Sequence, residues 1–256
     1  NNELRRYGVH VVFYDPTGEF PEHLLDASTR LIWIESPGST TMEVQDVPAI
    51  VRIARRRGII VGCDNTWATP LLFKPLAHGV DISVEALTKY VSGHSDALMG
   101  SIAVRDSALA SAIKGLLGRL GVGVSPDECS LVLRGLETLP VRLGHSARVA
   151  GSIARWIAGQ PLTERVLHPA LPECPGHQIW KRDFAGASGV FSVILTERAI
   201  PHIHDALDAM SVFAIPRESR RRARRFGRSP KENTGERGTP DHTREDREAV
   251  VGTDQD

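Results

Sequence analysis

Apolar runs too short for helices punctuate the first half of this chain, each ending in polar or turn residues. "TRLIWIES", Thr29 to Ser36, runs into the turn-forming "ESPGS" and predicts a buried strand with a loop at its carboxyl end. "DVPAIVRIARRRG" follows with helical spacing. Asp46 suits the N-cap, Pro48 the first turn and Gly58 the stop, and Val47, Ile50, Val51 and Ala54 share one face. "IIVGCDN" predicts a second buried strand, Ile59 to Cys63, with Asp64 at its exit. "VDIS" and "SIAVR" add two short strand candidates. Strands alternating with helices imply a mostly parallel sheet covered on both faces, with sites beyond the carboxyl ends of the strands. Asp64 and the "ESPGS" loop fall in that position.

From about Ser130 the rhythm changes. "SLVLRGLETLPVRLGHSARVAGSIARWIAG" predicts long helical material with a break or kink at Pro140. "ASGVFSVILT" returns to strand, and "PHIHDALDAMSVF" reads as helix plus strand, which suggests a smaller α+β domain behind a connecting helix. After Phe213 large apolar residues almost vanish. A dense arginine run gives way to mixed charge with Gly, Pro, Asp and Thr, the composition of a disordered tail.

Bulk composition narrows the classes. The chain has 256 residues, 41% hydrophobic and 24% charged, enough for one or two soluble globular domains. Its 31 Lys and Arg balance its 31 Asp and Glu, so no overall field draws nucleic acid or an anionic membrane. The run "RESRRRARRFGR" could bind phosphates by counterion release. Acidic residues further on nearly balance it, and no aromatics interleave for base stacking. The three cysteines, Cys63, Cys129 and Cys174, lie far apart. Their odd number argues against a disulfide scaffold and for a reducing cytoplasm. No long apolar stretch suggests a membrane span, and no leader is visible.

Lys89 stands out in "ALTKYVSGHSDALMGS". An arbitrary lysine is usually a solvated charge. This one follows a strand-like stretch, which allows partial burial, and a desolvated lysine loses proton affinity and becomes a nucleophile. Thr88 offers a hydroxyl, and Gly93 and Gly100 permit close backbone approach. Asp64 can simply cap the turn "DNTW"; as a functional group it could keep a heteroaromatic nitrogen protonated. A lysine and such a carboxylate are what pyridoxal phosphate (PLP) chemistry needs, because the protonated ring is its electron sink. His94 and Asp96 in "GHSD" are too close in sequence for a triad, which distant segments normally assemble. His168, His177, His202 and His204 follow no zinc-ligand spacing.

"LIWIESPGSTTMEVQDVPAIVRIAR", "VGCDNTWATPLLFKPLAHGVDISVEALTKYVSGHSDALMG" and "HPALPECPGHQIWKRDFAGASGVFSVIL" resemble the Cys/Met-metabolism PLP-dependent enzymes over roughly Tyr7 to Phe213. "GHQIWKRDF" is similar to the cystathionine β-lyase branch more than to the γ-synthase branch, which stays as the alternative. The resemblance implies an α/β fold of the PLP-dependent fold type I, or aspartate-aminotransferase-like, architecture. It implies a partial PLP-binding large domain over 1–136, a connecting helix over 137–160, a partial C-terminal domain over 161–215 and a disordered charged tail over 216–256.

The resemblance further implies that Lys89 anchors the PLP cofactor and acts as the catalytic base, that Asp64 partners its ring nitrogen and that Thr88 binds its phosphate. Ala86 stands where many members have a second phosphate-binding serine. The implied reaction is β-elimination from an amino-acid thioether, cystathionine, to homocysteine, pyruvate and ammonia. Family members act as homo-oligomers with shared active sites. They also carry a phosphate loop and a ring-stacking tyrosine ahead of the region matched by residue 1. A late arginine clamps the substrate carboxylate. None of these has a match here. "PRESRRR" replaces an expected "SWGG"-like turn, as if the tail were read in a shifted frame. A non-catalytic remnant is the competing expectation.

Overall fold

The computed structural model describes residues 2–203 and 248–253. A short helix α1 (Asn2–Arg5) leads into strand β1 (Val9–Tyr14). Strand β2 (Thr29–Glu35), helix α2 (Val47–Arg57) and strand β3 (Ile60–Asp64) then form a strand–helix–strand unit whose two strands are parallel neighbours. Helix α3 (Thr69–Leu72) and strands β4 (Ile82–Ala86) and β5 (Gly100–Val104) follow. Helices α4 (Ser107–Arg119) and α5 (Pro126–Ala158) lead to strand β6 (Thr163–Leu167), helix α6 (His177–Asp183) and strand β7 (Ser192–Leu195). A last strand, β8, spans Glu248–Thr253.

The main sheet has the order β1-β8-β2-β3-β4-β5. The pairs β2–β3 and β3–β4 are parallel, as alternating strands and helices require, while β5 runs antiparallel to β4. Strands β6 and β7 form a separate antiparallel pair. Ile32, Ile34, Val61 and Cys63 fill the centre of the main sheet. Helix α2 packs on it through the face expected from its spacing: Val47, Ile50, Val51 and Ala54 are its buried residues. Its ends follow local chemistry too. The Asp46 side chain accepts a hydrogen bond from the Ala49 amide at 2.9 Å, and Gly58 closes the helix with φ of 66°.

Two expectations need correction. The helical stretch does not break at Pro140: α5 runs unbroken from Pro126 to Ala158, starting well before the expected 137. Pro140 removes only the bond that would reach the Leu136 carbonyl. Burial of Leu139 and Leu143 against Val91, Ala97 and Val132 holds the helix together across it. The charged tail is not disordered throughout, because Glu248–Thr253 is strand β8, antiparallel to both β1 and β2. It fills a gap one strand wide, where β1 and β2 would otherwise each present an unpaired row of backbone groups. Its sequence, "EAVVGT", includes two β-branched valines that suit a strand. Residues 204–247, including His204 and most of the helix and strand expected in "PHIHDALDAMSVF", lie outside the described residues.

Candidate active site

Asp64 is the last residue of β3, paired across the ladder with Val84 of β4. Its Oδ1 accepts the Thr66 amide at 2.8 Å, so the carboxylate caps the turn that follows and is held in place by it. The same turn is tied to β4: the Asn65 amide donates to the Val84 carbonyl at 2.8 Å, and the Ala86 amide donates to Thr66 Oγ1 at 2.8 Å. Lys89 follows three residues after β4 ends. Its amide donates to the Ala86 carbonyl at 3.1 Å, and its carbonyl accepts the Gly93 amide at 2.9 Å. Both candidate residues therefore sit at the carboxyl edge of neighbouring parallel strands, the edge where α/β sheets place their chemistry.

Lys89 is exposed, against the expectation of partial burial. The turn lifts it off the sheet, and it stands on the wall of a cleft of about 760 Å³ with Thr88, Tyr90, Arg142, His145, Ser146 and Val190. Asp64 opens on a different cavity of about 1020 Å³, beside Glu85, Met99 and Lys114. Thr88 lines the first and Met99 the second, and the two are bonded to each other. Thr88 Oγ1 accepts the Met99 amide at 2.9 Å and lies 3.3 Å from the Met99 carbonyl, to which it donates. An amine and a carboxylate have the chemistry that the aldehyde and the pyridine nitrogen of PLP need, but here they open on separate cavities. The phosphate end is not met in this arrangement, because the Thr88 hydroxyl is already satisfied and Ala86 has none.

Glu85 is a residue that sequence reasoning passed over. Burial pushes its carboxyl from an ordinary 4.5 up to about 7; a hydrogen bond with Asn65 opposes the shift and the Asp64 charge adds to it. The folded state holds this proton more tightly than the unfolded chain does. The contribution of Glu85 to stability is therefore fully present below pH ~4.5 and is lost as pH rises towards ~7. Glu85→Gln should remove that loss. With the partial exposure of the site discounted, we expect the variant to be about 1–2 kcal/mol more stable than the parent at pH 8 and near parity at pH 5. Thermal melts at the two pH values check it; equal gains at both would refute the assignment.

Arg142 was also not foreseen. Its guanidinium donates to the carbonyls of Tyr90 (2.8 Å), Val91 (3.1 Å) and Gly135 (2.7 Å), and its Nε to Thr138 Oγ1 (2.9 Å). It clamps the chain just after Lys89 onto α5. The "GHSD" residues do not form a triad. His94 Nδ1 lies 2.6 Å from the carbonyl of Ser92, and Asp96 pairs with Arg134 of α5. The "ESPGS" loop is folded on itself: Ser36 Oγ accepts the Gln45 amide and Gly38 donates to the Glu43 carbonyl. His168 is buried, with Nδ1 accepting the Ala170 amide, and His177 Nδ1 lies 2.8 Å from the Pro169 carbonyl. Among the described residues no group of three or more His, Cys, Asp or Glu could hold a metal ion. Among them, too, no helix is long and apolar enough to cross a membrane.

A sheet whose central strands β2, β3 and β4 run parallel, flanked by helices, has the α/β architecture of the PLP-dependent fold type I class. Residues 1–219 match the model of the "Cys/Met metabolism PLP-dependent enzyme" family, and the chain belongs to that family. PLP is the family's cofactor, and its members handle amino-acid substrates. The chain is 41% identical over 217 residues to the Escherichia coli cystathionine beta-lyase MetC, covering 83% of this chain and 54% of that protein. It is also 41% identical over 215 residues to an L-alanine/L-glutamate racemase of Wolbachia pipientis, covering 84% of this chain and 53% of that one. Among solved structures, a cystathionine gamma synthase of Xanthomonas oryzae superposes with a TM-score of 0.70 at 31% identity, over 74% of this chain and 49% of that one. The chain spans about half the length of the relatives it matches.

Proposed function

We propose that this chain carries the cofactor-anchoring portion of a PLP-dependent carbon–sulfur lyase that acts on cystathionine or a similar amino-acid thioether. The observation that carries this reading is the placement of Lys89 and Asp64 at the carboxyl exits of neighbouring strands. PLP, when bound, supplies an electron sink that stabilises negative charge at the substrate's Cα. Lys89 would hold the cofactor, and its free amine would take the proton from Cα as a general base. Its exposure on the cleft wall leaves it free to pass that proton to the departing sulfur. Asp64, oriented by the Thr66 amide, would partner the ring nitrogen. The Thr88 hydroxyl, in this arrangement bonded to Met99, would be a phosphate ligand. Sulfur leaves from Cβ, the resulting enamine is hydrolysed by water, and cystathionine plus water gives homocysteine, pyruvate and ammonia. An assembly of several copies, as the resemblance implies, belongs to the same proposal.

A second reading has its own support: the racemase relative shows that similar sequence also serves proton transfer at Cα without loss of sulfur. Both readings need the same lysine. Incubating the full chain with PLP, reducing with borohydride and mapping the modified peptide tests their common part; labelling scattered over the surface lysines would sink it. Pyruvate release from cystathionine then separates the lyase from the racemase.

A further inference from the structure

Two side chains that flank the candidate residues converge on a single stretch of backbone. Tyr90 follows Lys89 directly, and its hydroxyl accepts the Gly189 amide at 2.9 Å. Trp67 lies just beyond Asp64, and its indole Nε1–H donates to the Val190 carbonyl at 2.9 Å. Gly189 and Val190 are neighbours in the loop before β7, far from both partners in sequence. The fit is close: a Cβ on Gly189 would come within 2.9 Å of Ser146 Cβ and 3.3 Å of the Tyr90 hydroxyl. Val190 itself lines the Lys89 cleft. On its other side, Tyr90 is held by its carbonyl, which accepts from Arg142. The turn that carries Lys89 is thus gripped by α5 from behind and by the 189–190 strap at its hydroxyl end. The strap in turn grips the turn that carries Asp64.

We propose that Tyr90 and Trp67 are positioning residues that set the Lys89 turn and the Asp64 turn against each other through the Gly189–Val190 strap. Its functional meaning rests on the reading of Lys89 and Asp64 given above; the bonding does not. Tyr90→Phe removes only the acceptor and leaves the Gly189 amide without its partner. Trp67→Phe removes only the indole donor. Neither touches the lysine or the carboxylate.

The test uses the full chain and two readouts. The first is the Trp67 indole N–H, followed by ¹H–¹⁵N NMR. Tyr90→Phe should speed its exchange with solvent about tenfold while the melting transition persists, because loosening one end of the strap loosens the other. The second is labelling by PLP and borohydride across neutral to alkaline pH. Both variants should shift the pH midpoint for Lys89 or cut its share of label about threefold against the exposed Lys181. Unchanged indole exchange together with an unchanged Lys89 profile would overturn the proposal. A parent chain that does not prefer Lys89 would overturn the functional reading, while the indole measurement still judges the strap. If Tyr90→Phe does not fold, Trp67→Phe carries the labelling test. Loss of folding in both would assign the contacts to folding and overturn the positioning role.

Discussion

Lys89→Arg should abolish borohydride-fixed PLP labelling of the peptide around residue 89 and leave the melting temperature where it was. Arginine keeps the charge and much of the length, but its guanidinium is never deprotonated and cannot condense with an aldehyde. The stability half of the prediction follows from geometry. Lys89 is exposed, and the hydrogen bonds found at this position, to Ala86 and from Gly93, belong to the backbone. A surface change of that kind moves stability by no more than about 0.5 kcal/mol. If the whole protein turns over a thioether, loss of a general base costs about 10²–10⁴ in rate before loss of the anchor is counted. Mass spectrometry of the reduced peptide and a calorimetric melt check the two halves separately. Persistent labelling at the expected level would move the anchor to another lysine.

Gly135→Ala should destabilise the chain, and Gly144→Ala, in the same helix, should stabilise it. Replacing glycine by alanine inside a helix ordinarily gains about 1 kcal/mol. At Gly144 nothing lies within 4 Å of the new methyl, so that gain should appear. At Gly135 the methyl would sit 2.3 Å from the Val91 carbonyl oxygen and 2.4 Å from that of Ser92. Both obstacles are backbone, so α5 must lift off the turn that carries Lys89. Lifting it stretches the bonds from Arg142 to Tyr90 and Val91. Overpacking of this kind costs about 1–3 kcal/mol or more, plus the lost charged hydrogen bonds, so the clash outweighs the propensity gain. A net loss of about 2–4 kcal/mol lowers the melting temperature by roughly 4–16 °C for a domain of this size. Paired thermal melts check it, and a stabilised Gly135→Ala would show that the helix stands further from the turn than described.

The parts of the fold legible in the sequence were those set by neighbours along the chain. Helix α2 is the clearest case: its cap, its proline, its closing glycine and its buried face all follow from spacing. The exits of β3 and β4 followed from the same logic, and with them the neighbourhood of Asp64 and Lys89. What stayed hidden depends on residues that meet from far apart. Tyr90 reads as one more aromatic after a lysine until Gly189 is found against it. Arg142 reads as a solvated charge until three carbonyls are found around it. Gly135 did leave a signal, since a glycine inside a long helical stretch is costly unless something must come close. Strand β8 was missed because composition was averaged over a long charged tail, which buried a short apolar run. The exposure of Lys89 could not be read either, since a strand-like approach says nothing of a turn that lifts the residue away from the sheet.

Helix α5 is gripped near its middle by Gly135 and Arg142, and towards its end it packs through the buried Ala150 and Ala154. From Arg142 to Ala158 it extends ~24 Å, at about 1.5 Å per residue. It is therefore a lever with its fulcrum beside the lysine. A tilt of about 5° about Arg142 would carry the far end by roughly 2 Å, the scale of shear between packed elements. The β6–β7 pair lies beyond that far end, so a small strain at the turn becomes a visible displacement there, and a push on that pair arrives at the turn reduced in travel and raised in force.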